Sequence, residues 1–215
     1  MLDFAALVHE CAPWVAHETM AAIVKTESGF RPLAIGVNGG SKLARQADNV
    51  AEAVATANWL ISNGYNIDLG LGQVNSSNLA KTGLTVKNAF DPCKNIAAAG
   101  KILLGNYQLA ISKGLGEQAA LHAAISAYNT GSLHRGFTNG YVQKVIGNAG
   151  VVVPGITPQR VAPIALVGTK APARTRSQPD SQTVKLRVIS SDETGSLASN
   201  EGAGDPDTSN VMVYR

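Results

Sequence analysis

The chain is poor in the residues that would indicate several common classes of protein. Charged residues make up only 15% of its 215 residues, aromatic residues 5%, and the formal net charge at pH 7 is +3. A charge this small does not indicate a nucleic-acid-binding protein, although mild positive charge suits an anionic polymer as a partner. No apolar run of about 18 residues occurs, so the sequence predicts no membrane-spanning helix. It has no basic start followed by an apolar stretch, so no signal peptide is visible.

Cysteine and histidine are scarce as well. The two cysteines, Cys11 and Cys93, allow either one disulfide that closes a long loop or two free thiols in a reduced compartment. The four histidines are scattered along the chain without the spacing of a metal site. We therefore expect no metal ion and no cofactor.

The composition changes near residue 150 and divides the chain into two parts. The first part has alanine-rich apolar periods, whereas the second contains six of the nine prolines and a single aromatic residue, Tyr214. Such a composition buries too little apolar surface to offset the entropy of ordering. We predict a folded domain over 1–150 and a disordered tail over 151–215. The tail is either a plain linker or a docking segment whose short apolar runs add strands to a partner's sheet.

The first 150 residues have the apolar spacing and end signals of helices. Gly29 and Pro32 end the helix that contains Glu27, and Asp91-Pro92 combines a capping residue with a proline at the first helical position. The glycines within 65–75 favour a loop or a tiny hairpin. The predicted class is mainly α, with helices over 3–10, 17–28, 48–63, 76–82, 91–114, 116–129 and 139–148.

Four short motifs contain residues suited to chemistry: ESGF at 27–30, GLGQVN at 70–75, DPCKNIAAAGKIL at 91–103 and AYNTG at 127–131. Most of them have an ordinary structural explanation when taken alone. An Asn-Thr-Gly end can cap a helix, and the GLG triplet lacks the lysine and the length of a phosphate loop. Glu27 needs a separate explanation, because a carboxylate at the end of an apolar helix is either a solvated helix end or a functional acid.

Together and in this order, the motifs resemble lytic transglycosylases of the goose-lysozyme-like fold, the SLT-type domains. The resemblance runs from about residue 7 to residue 147. Glu27 and Gln73 lie farther apart than in most of that family, and the segment between them contains VAEAVATANWLISNGYNIDLG. With CAP before it and DPCKNI after it, this segment is similar to the subgroup attached to type IV secretion and conjugation systems. Members of that subgroup open peptidoglycan locally so that the secretion channel can be built through it.

The resemblance implies a lysozyme-like helical fold and a reaction centred on Glu27. This carboxyl group would protonate the glycosidic oxygen between N-acetylmuramic acid and N-acetylglucosamine. It would then accept the proton of the C6 hydroxyl, which attacks C1 of the same muramic acid and closes a 1,6-anhydro ring. Ser28 would tie or cap the turn after the acid, and Asn129 would contact substrate or hold its own turn. The implied substrate-binding residues are Ser28, Gly72, Gln73, Tyr128, Asn129 and Tyr141.

The remaining members of this set also receive roles from the resemblance. Gln73 would bind sugar groups through its amide, and Gly72 would let the backbone approach the glycan closely. The Tyr128 hydroxyl would approach the catalytic acid or the substrate. Tyr141 would be a further tyrosine of the cleft.

A wall-degrading enzyme works in the oxidising periplasm, where a disulfide persists. That compartment favours a bridge between Cys11, which precedes the catalytic helix, and Cys93, at the start of the long helix. The expected partners are peptidoglycan glycan strands and, through the tail 151–215, components of the type IV secretion channel.

Two other interpretations stay open. A muramidase on the same fold would hydrolyse the bond and would need a second carboxylate to direct water, for which Asp68 is the candidate. A non-catalytic assembly factor would hold peptidoglycan with its globular domain and recruit the channel with its tail. The chemistry of the products separates these functions, because anhydro ends form without water.

Overall fold

The computed structural model describes residues 3–150, and the predicted tail 151–215 lies outside the described residues. The described part is mainly helical, as predicted, and contains no helix that is both long and apolar enough to cross a membrane. Its helices are α1 (Phe4–Cys11), α2 (His17–Glu27), α3 (Val50–Ser62), α4 (Leu79–Thr82), α5 (Pro92–Ser112), α6 (Glu117–Thr130), α7 (Arg135–Thr138) and α8 (Tyr141–Gly147). Its strands are β1 (Ile35–Val37), β2 (Ile67–Leu69) and β3 (Val74–Asn75), and 3₁₀ turns occupy Ser76–Asn78 and Asn88–Phe90.

Side-chain caps mark the beginnings of α3 and α5. Asn49 accepts a hydrogen bond from the Glu52 amide at 2.9 Å and begins α3. Asp91 does the same for α5, with Pro92 at the first helical position. Gly131 ends α6 in a left-handed conformation with φ 66°, which a glycine adopts without steric cost. Asn129, predicted to help terminate this helix, lies inside it.

Helix α2 is buried along most of its length and places a carboxylate at its end. The five consecutive residues from Met20 to Val24 are all buried, so this helix has neighbours on every side. Helix α5 runs beside α1 and α6. The alanines of α6 let α5 and α6 approach each other closely. The resulting core fixes the position of Glu27 at the last residue of α2.

The disulfide between Cys11 and Cys93 is present, as the expected periplasmic compartment favoured. It joins the last residue of α1 to the first turn of α5, with the two Cα atoms 5.3 Å apart. The two cysteines are separated by 82 positions, so the bridge closes a long loop of the unfolded chain. Bridges of this kind stabilise a domain by about 2–4 kcal/mol.

The three strands form a small antiparallel sheet in the order β1-β2-β3. The tiny hairpin considered for the glycine-containing segment is the β2–β3 pair, in which Asp68 lies opposite Asn75. Strand β1 was not predicted, and it pairs with β2 so that Gly36 lies opposite Asp68. Helix α7 was also missed. Both elements are too short to show a periodicity, and contacts with distant parts of the chain form them.

Candidate active site

A cleft between the helices and the small sheet is lined by polar side chains from both. The helices contribute an acid, a tyrosine and an asparagine, and the sheet with its connecting loops contributes three amides and a second acid. The lining residues are Glu27, Asn38, Asp68, Gln73, Asn75, Tyr128 and Asn129. Of the residues predicted from the sequence to form the site, Glu27, Gln73, Tyr128 and Asn129 are in this lining.

Glu27 is a half-buried carboxyl group at the junction of α2 and the cleft. Its pKa is raised from 4.5 to about 7, chiefly because the surrounding protein removes water from the charged form. A hydrogen bond from Tyr141 lowers this pKa, the negative charge of Asp68 raises it, and the positive charge of Lys144 lowers it. Near neutral pH, a substantial fraction of Glu27 therefore holds a proton that it can donate.

Tyr141, the first residue of α8, is the tyrosine that contacts the acid. Its buried hydroxyl donates a hydrogen bond to Glu27 Oε1. Burial and the neighbouring carboxylate hold the pKa of Tyr141 well above its ordinary value, so the hydroxyl keeps its proton. This bond occupies one oxygen of the carboxyl group, so the other, Oε2, is the one suited to exchange a proton with a ligand.

The Tyr128 hydroxyl has a hydrogen-bond partner within the protein. Its hydroxyl donates to the Gly72 carbonyl oxygen at 2.7 Å, and the bond joins α6 to the β2–β3 turn. The hydroxyl is thus used within the protein, while the residue still lines the cleft. Of the two contacts expected for Tyr128, with the acid or with the substrate, the hydrogen bond to the acid is made by Tyr141.

Gly72 faces the protein interior, contrary to the prediction that it admits the glycan. A Cβ at this position would lie 2.7 Å from the Ala99 Cβ and 2.9 Å from the Tyr128 hydroxyl. Its amide donates to Asn95 Oδ1 at 2.7 Å. The absence of a side chain therefore lets the turn pack against α5 and α6, and it contributes no open surface for a sugar.

Asn95, a fully buried residue in the first turns of α5, anchors this turn from below. Besides accepting from Gly72, its side chain donates to the carbonyl oxygens of Leu69 and Ala89, each at 2.8 Å. Sequence reasoning missed this role. The available signal was an asparagine among apolar residues of a helix, because buried amides are nearly always hydrogen-bonded.

Gln73 completes the turn in a strained conformation, with φ 49°. Its side-chain amide donates to the carbonyl oxygens of Gly70 at 2.9 Å and Ala34 at 3.1 Å. These bonds tie the turn to the chain just before β1. They fix the residue in the cleft lining with its side-chain oxygen beside Gly36.

Asp68 is held by asparagine side chains, a group that the sequence analysis did not identify. Asp68 Oδ2 accepts from Asn38 at 2.9 Å, and Asp68 Oδ1 accepts from Asn75 at 2.7 Å. Both amides also donate to Asn66 Oδ1 at 2.7 Å. The alternation of the strands could have revealed part of this group, because residues 66 and 68 share a face and Asn75 is the partner of Asp68.

Ser28 and Asn129, the other two predicted substrate-binding residues, occupy different environments. Ser28 is buried and does not line the cleft; its hydroxyl donates back to the Val24 carbonyl oxygen at 3.2 Å. Ser28 therefore caps the end of α2, which is one of the roles expected for it. Its buried position does not support contact with substrate. Asn129 is in the lining, and its side-chain oxygen accepts from Asn139 at 3.2 Å. Within the described part of the chain, no group of three His, Cys, Asp or Glu residues is placed to hold a metal ion.

Comparison with known proteins adds to this geometry. Residues 5–149 match the family model described as the transglycosylase SLT domain. The chain is 44% identical over 206 residues to the type IV secretion system protein virB1 of Brucella suis biovar 1, covering 90% of this chain and 85% of that protein. It is 41% identical over 156 residues to the protein virB1 of Agrobacterium fabrum, covering 72% of this chain and 62% of that one. No solved structure gives a significant match.

Proposed function

The chain belongs to the transglycosylase SLT family, and we propose that Glu27 is the single acid and base with which it cleaves peptidoglycan. The observation that carries this proposal is a carboxyl group in the cleft whose pKa is raised to about 7. An acid of that strength is matched to proton transfer near neutral pH. Its last helical turn and its tyrosine partner hold it in one position, as a general acid requires.

In the first step, protonated Glu27 gives its proton to the oxygen of the β-1,4 bond between N-acetylmuramic acid and N-acetylglucosamine. The bond from C1 to that oxygen breaks, and positive charge develops at C1 of the muramic acid. Tyr141 holds Glu27 Oε1, so Oε2 is the oxygen suited to the transfer. The N-acetylglucosamine leaves with a free 4-hydroxyl group.

In the second step, the same carboxylate removes the proton of the C6 hydroxyl of the muramic acid. The C6 oxygen attacks C1 and forms the 1,6-anhydro ring, which returns Glu27 to its protonated form. No water enters the reaction, so one carboxyl group suffices. Asp68 then acts through its charge, which raises the pKa of Glu27, and through its bonds to the asparagines of the sheet.

The alternative muramidase would use Asp68 to orient a water molecule. Both oxygens of Asp68 already accept hydrogen bonds from asparagine amides, which supports a structural and electrostatic role over that of a base. Mass spectrometry of digested peptidoglycan tests the choice. Wild-type protein and the Asp68→Asn variant should both release 1,6-anhydromuropeptides, and Glu27→Gln should release almost none. Products with reducing ends, absent after Asp68→Asn, would favour the muramidase.

We further propose that this cleavage opens the cell wall for a type IV secretion channel, in the periplasm. The relatives named type IV secretion system protein virB1 support the role in secretion. The disulfide supports the location, because the periplasm is an oxidising compartment. Measuring the thiols of exported protein without reductant tests the compartment. Two alkylatable thiols would contradict it.

The division into a catalytic domain over 1–150 and a docking tail over 151–215 is also part of the proposal. The similarity to the Brucella protein covers 90% of this chain, more than residues 1–150 can supply, and this supports a role for the tail beyond that of a linker. Replacing residues 151–215 by a glycine-serine linker of the same length should leave peptidoglycan cleavage intact and reduce transfer through the channel. Undiminished transfer would contradict docking.

A further inference from the structure

Two aromatic rings stack on each other at the surface, one in the last turn of α3 and the other just beyond its C-terminal end. The Trp59 residue is 60% exposed and Tyr65 is 40% exposed. Their ring centroids lie 6.2 Å apart, with 24° between the ring planes. Isolated apolar side chains at a surface are ordinary, but two large rings held together and exposed suit contact with a ligand or partner. Neither residue has a part in the reaction described above.

A groove of about 460 Å³ lies beside Tyr65. We call it the Tyr65 groove; its lining residues are Asn38, Gly39, Gly64, Tyr65 and Asn66. Asn38 also lines the cleft that contains Glu27, so the two depressions share a residue. The volume lies within the range of sites that hold small molecules or sugar units. A polymer bound across Glu27 could continue into this groove.

The chemistry of the groove combines an aromatic face, a polar acceptor and bare backbone. The Asn38 amide nitrogen donates to Asn66 and Asp68, whereas no donor in residues 3–150 bonds to its side-chain oxygen. Gly39 and Gly64 have open space where a side chain would begin. Pyranose rings match this surface, because they carry an apolar face of C–H groups and a rim of hydroxyl and acetamido groups that donate hydrogen bonds.

We propose that the Tyr65 groove is a further sugar subsite, in which an N-acetylhexosamine ring of the glycan strand stacks on Tyr65 and donates a hydrogen bond to Asn38 Oδ1. Trp59 supports the Tyr65 ring from its other side. The proposal rests on the proposed function, which supplies a glycan strand as the bound polymer. It adds a length preference: strands long enough to reach from Glu27 to Tyr65 bind more tightly than short ones.

Binding of glycan strands to the full chain tests the subsite directly. The parent protein contains Glu27→Gln, so that strands bind without being cut, and the probes are uncrosslinked MurNAc-GlcNAc strands of two and eight sugars. Calorimetry gives the dissociation constants. Tyr65→Ala should weaken binding of the octasaccharide by roughly tenfold and leave the disaccharide nearly unaffected. Tyr65→Phe keeps the ring and should stay within about twofold of the parent.

Two controls separate a subsite from general disturbance. Val50→Ala removes another exposed apolar side chain at the opposite end of α3, and its octasaccharide binding should equal that of the parent. The chain has two tryptophans, and Trp14 packs against the core. Octasaccharide should therefore change the tryptophan fluorescence of the parent, whereas the change should be lost in Trp59→Phe.

Several results would overturn the subsite. One is equal octasaccharide binding by Tyr65→Ala and the parent. Another is an equal loss of affinity for both strand lengths in Tyr65→Ala, because such a loss indicates a structural effect. Unchanged glycan binding with reduced transfer in cells would assign the aromatic pair to a protein partner. These results leave the proposed function standing if the wild type produces anhydro ends. If the parent binds no strand and the wild type cuts none, the proposed function falls and the subsite falls with it.

Discussion

The two sides of the cleft hold the same chemical group in opposite ways. On the helical side, formed by Glu27, Tyr128 and Asn129, the carboxyl group ends a buried helix and receives a hydrogen bond from Tyr141. On the sheet side, formed by Asn38, Asp68, Gln73 and Asn75, the carboxylate receives amide hydrogen bonds on both oxygens. Removal of water makes the first a proton donor near pH 7, whereas the second is held by amides and raises the pKa of the first through its charge. Environment, and not residue type, separates the two roles.

The largest effect should come from the helical side. Glu27→Gln keeps the shape of the side chain and removes its proton, so we expect peptidoglycan cleavage to fall by about a thousandfold or more. Release of soluble muropeptides measures it. Asp68→Asn, the same change on the sheet side, should cost far less. Equal losses from the two substitutions would contradict the separation of roles.

Glu27→Gln should also stabilise the fold at alkaline pH. Folded Glu27 has a pKa of about 7 against 4.5 for an ordinary glutamate, so the folded chain binds this proton more tightly than the unfolded chain. The free energy of unfolding therefore falls as pH rises from about 4.5 through about 7. Above that range, the variant should be more stable by on the order of 3 kcal/mol. Denaturant unfolding at pH 5 and pH 8.5 measures the difference, which should nearly vanish at the lower pH.

The next largest effect on cleavage should come from Asn95, which holds the turn between β2 and β3 on the sheet side. Asn95→Leu removes the partners of Gly72, Leu69 and Ala89, so we expect a loss of about 3 kcal/mol in the free energy of unfolding and weaker cleavage. Asn106 is a matched control, because it is buried in the same helix and its amide nitrogen has no partner in the described structure. Asn106→Leu should therefore be nearly neutral. Equal destabilisation by both variants would remove the special role of Asn95.

The helical side was easier to predict from sequence than the sheet side. Helix α2, its end at Glu27 and the cap of α5 follow from local signals, namely apolar spacing, glycine and an Asp-Pro pair. Gly72 was expected to admit the glycan and Tyr128 to approach the acid or the substrate, because sequence shows which residues occur in a motif, and not which way they face. Their bond to each other, and that of Asn95 to the turn, depend on three elements meeting in space.

A smaller effect, on the pH dependence of cleavage, should distinguish Tyr141 from Tyr128. Tyr141→Phe removes a hydrogen bond that lowers the pKa of Glu27, so this pKa should rise and cleavage should persist to higher pH. Tyr128→Phe loses the bond to the Gly72 carbonyl oxygen and should move the pH profile less than Tyr141→Phe does. The pH dependence of kcat/KM measures both. A shift in Tyr128→Phe with none in Tyr141→Phe would restore the role that the sequence suggested.

The smallest effect should come from charge across the cleft. Asp68→Asn removes a negative charge that raises the pKa of Glu27, so the profile should move to lower pH. Lys144→Gln removes a positive charge that lowers it, so the profile should move slightly in the other direction. Shifts of the same sign in these two variants would contradict the electrostatic account.

The most direct test of the central claim is the titration of Glu27 itself. Carbon NMR of protein with labelled glutamate carboxyl groups follows each group with pH, and Glu27→Gln identifies the resonance by its absence. The account predicts a midpoint at about 7, from the buried end of α2. A midpoint near the ordinary 4.5 would leave Glu27 ionised at neutral pH and contradict its role as the proton donor.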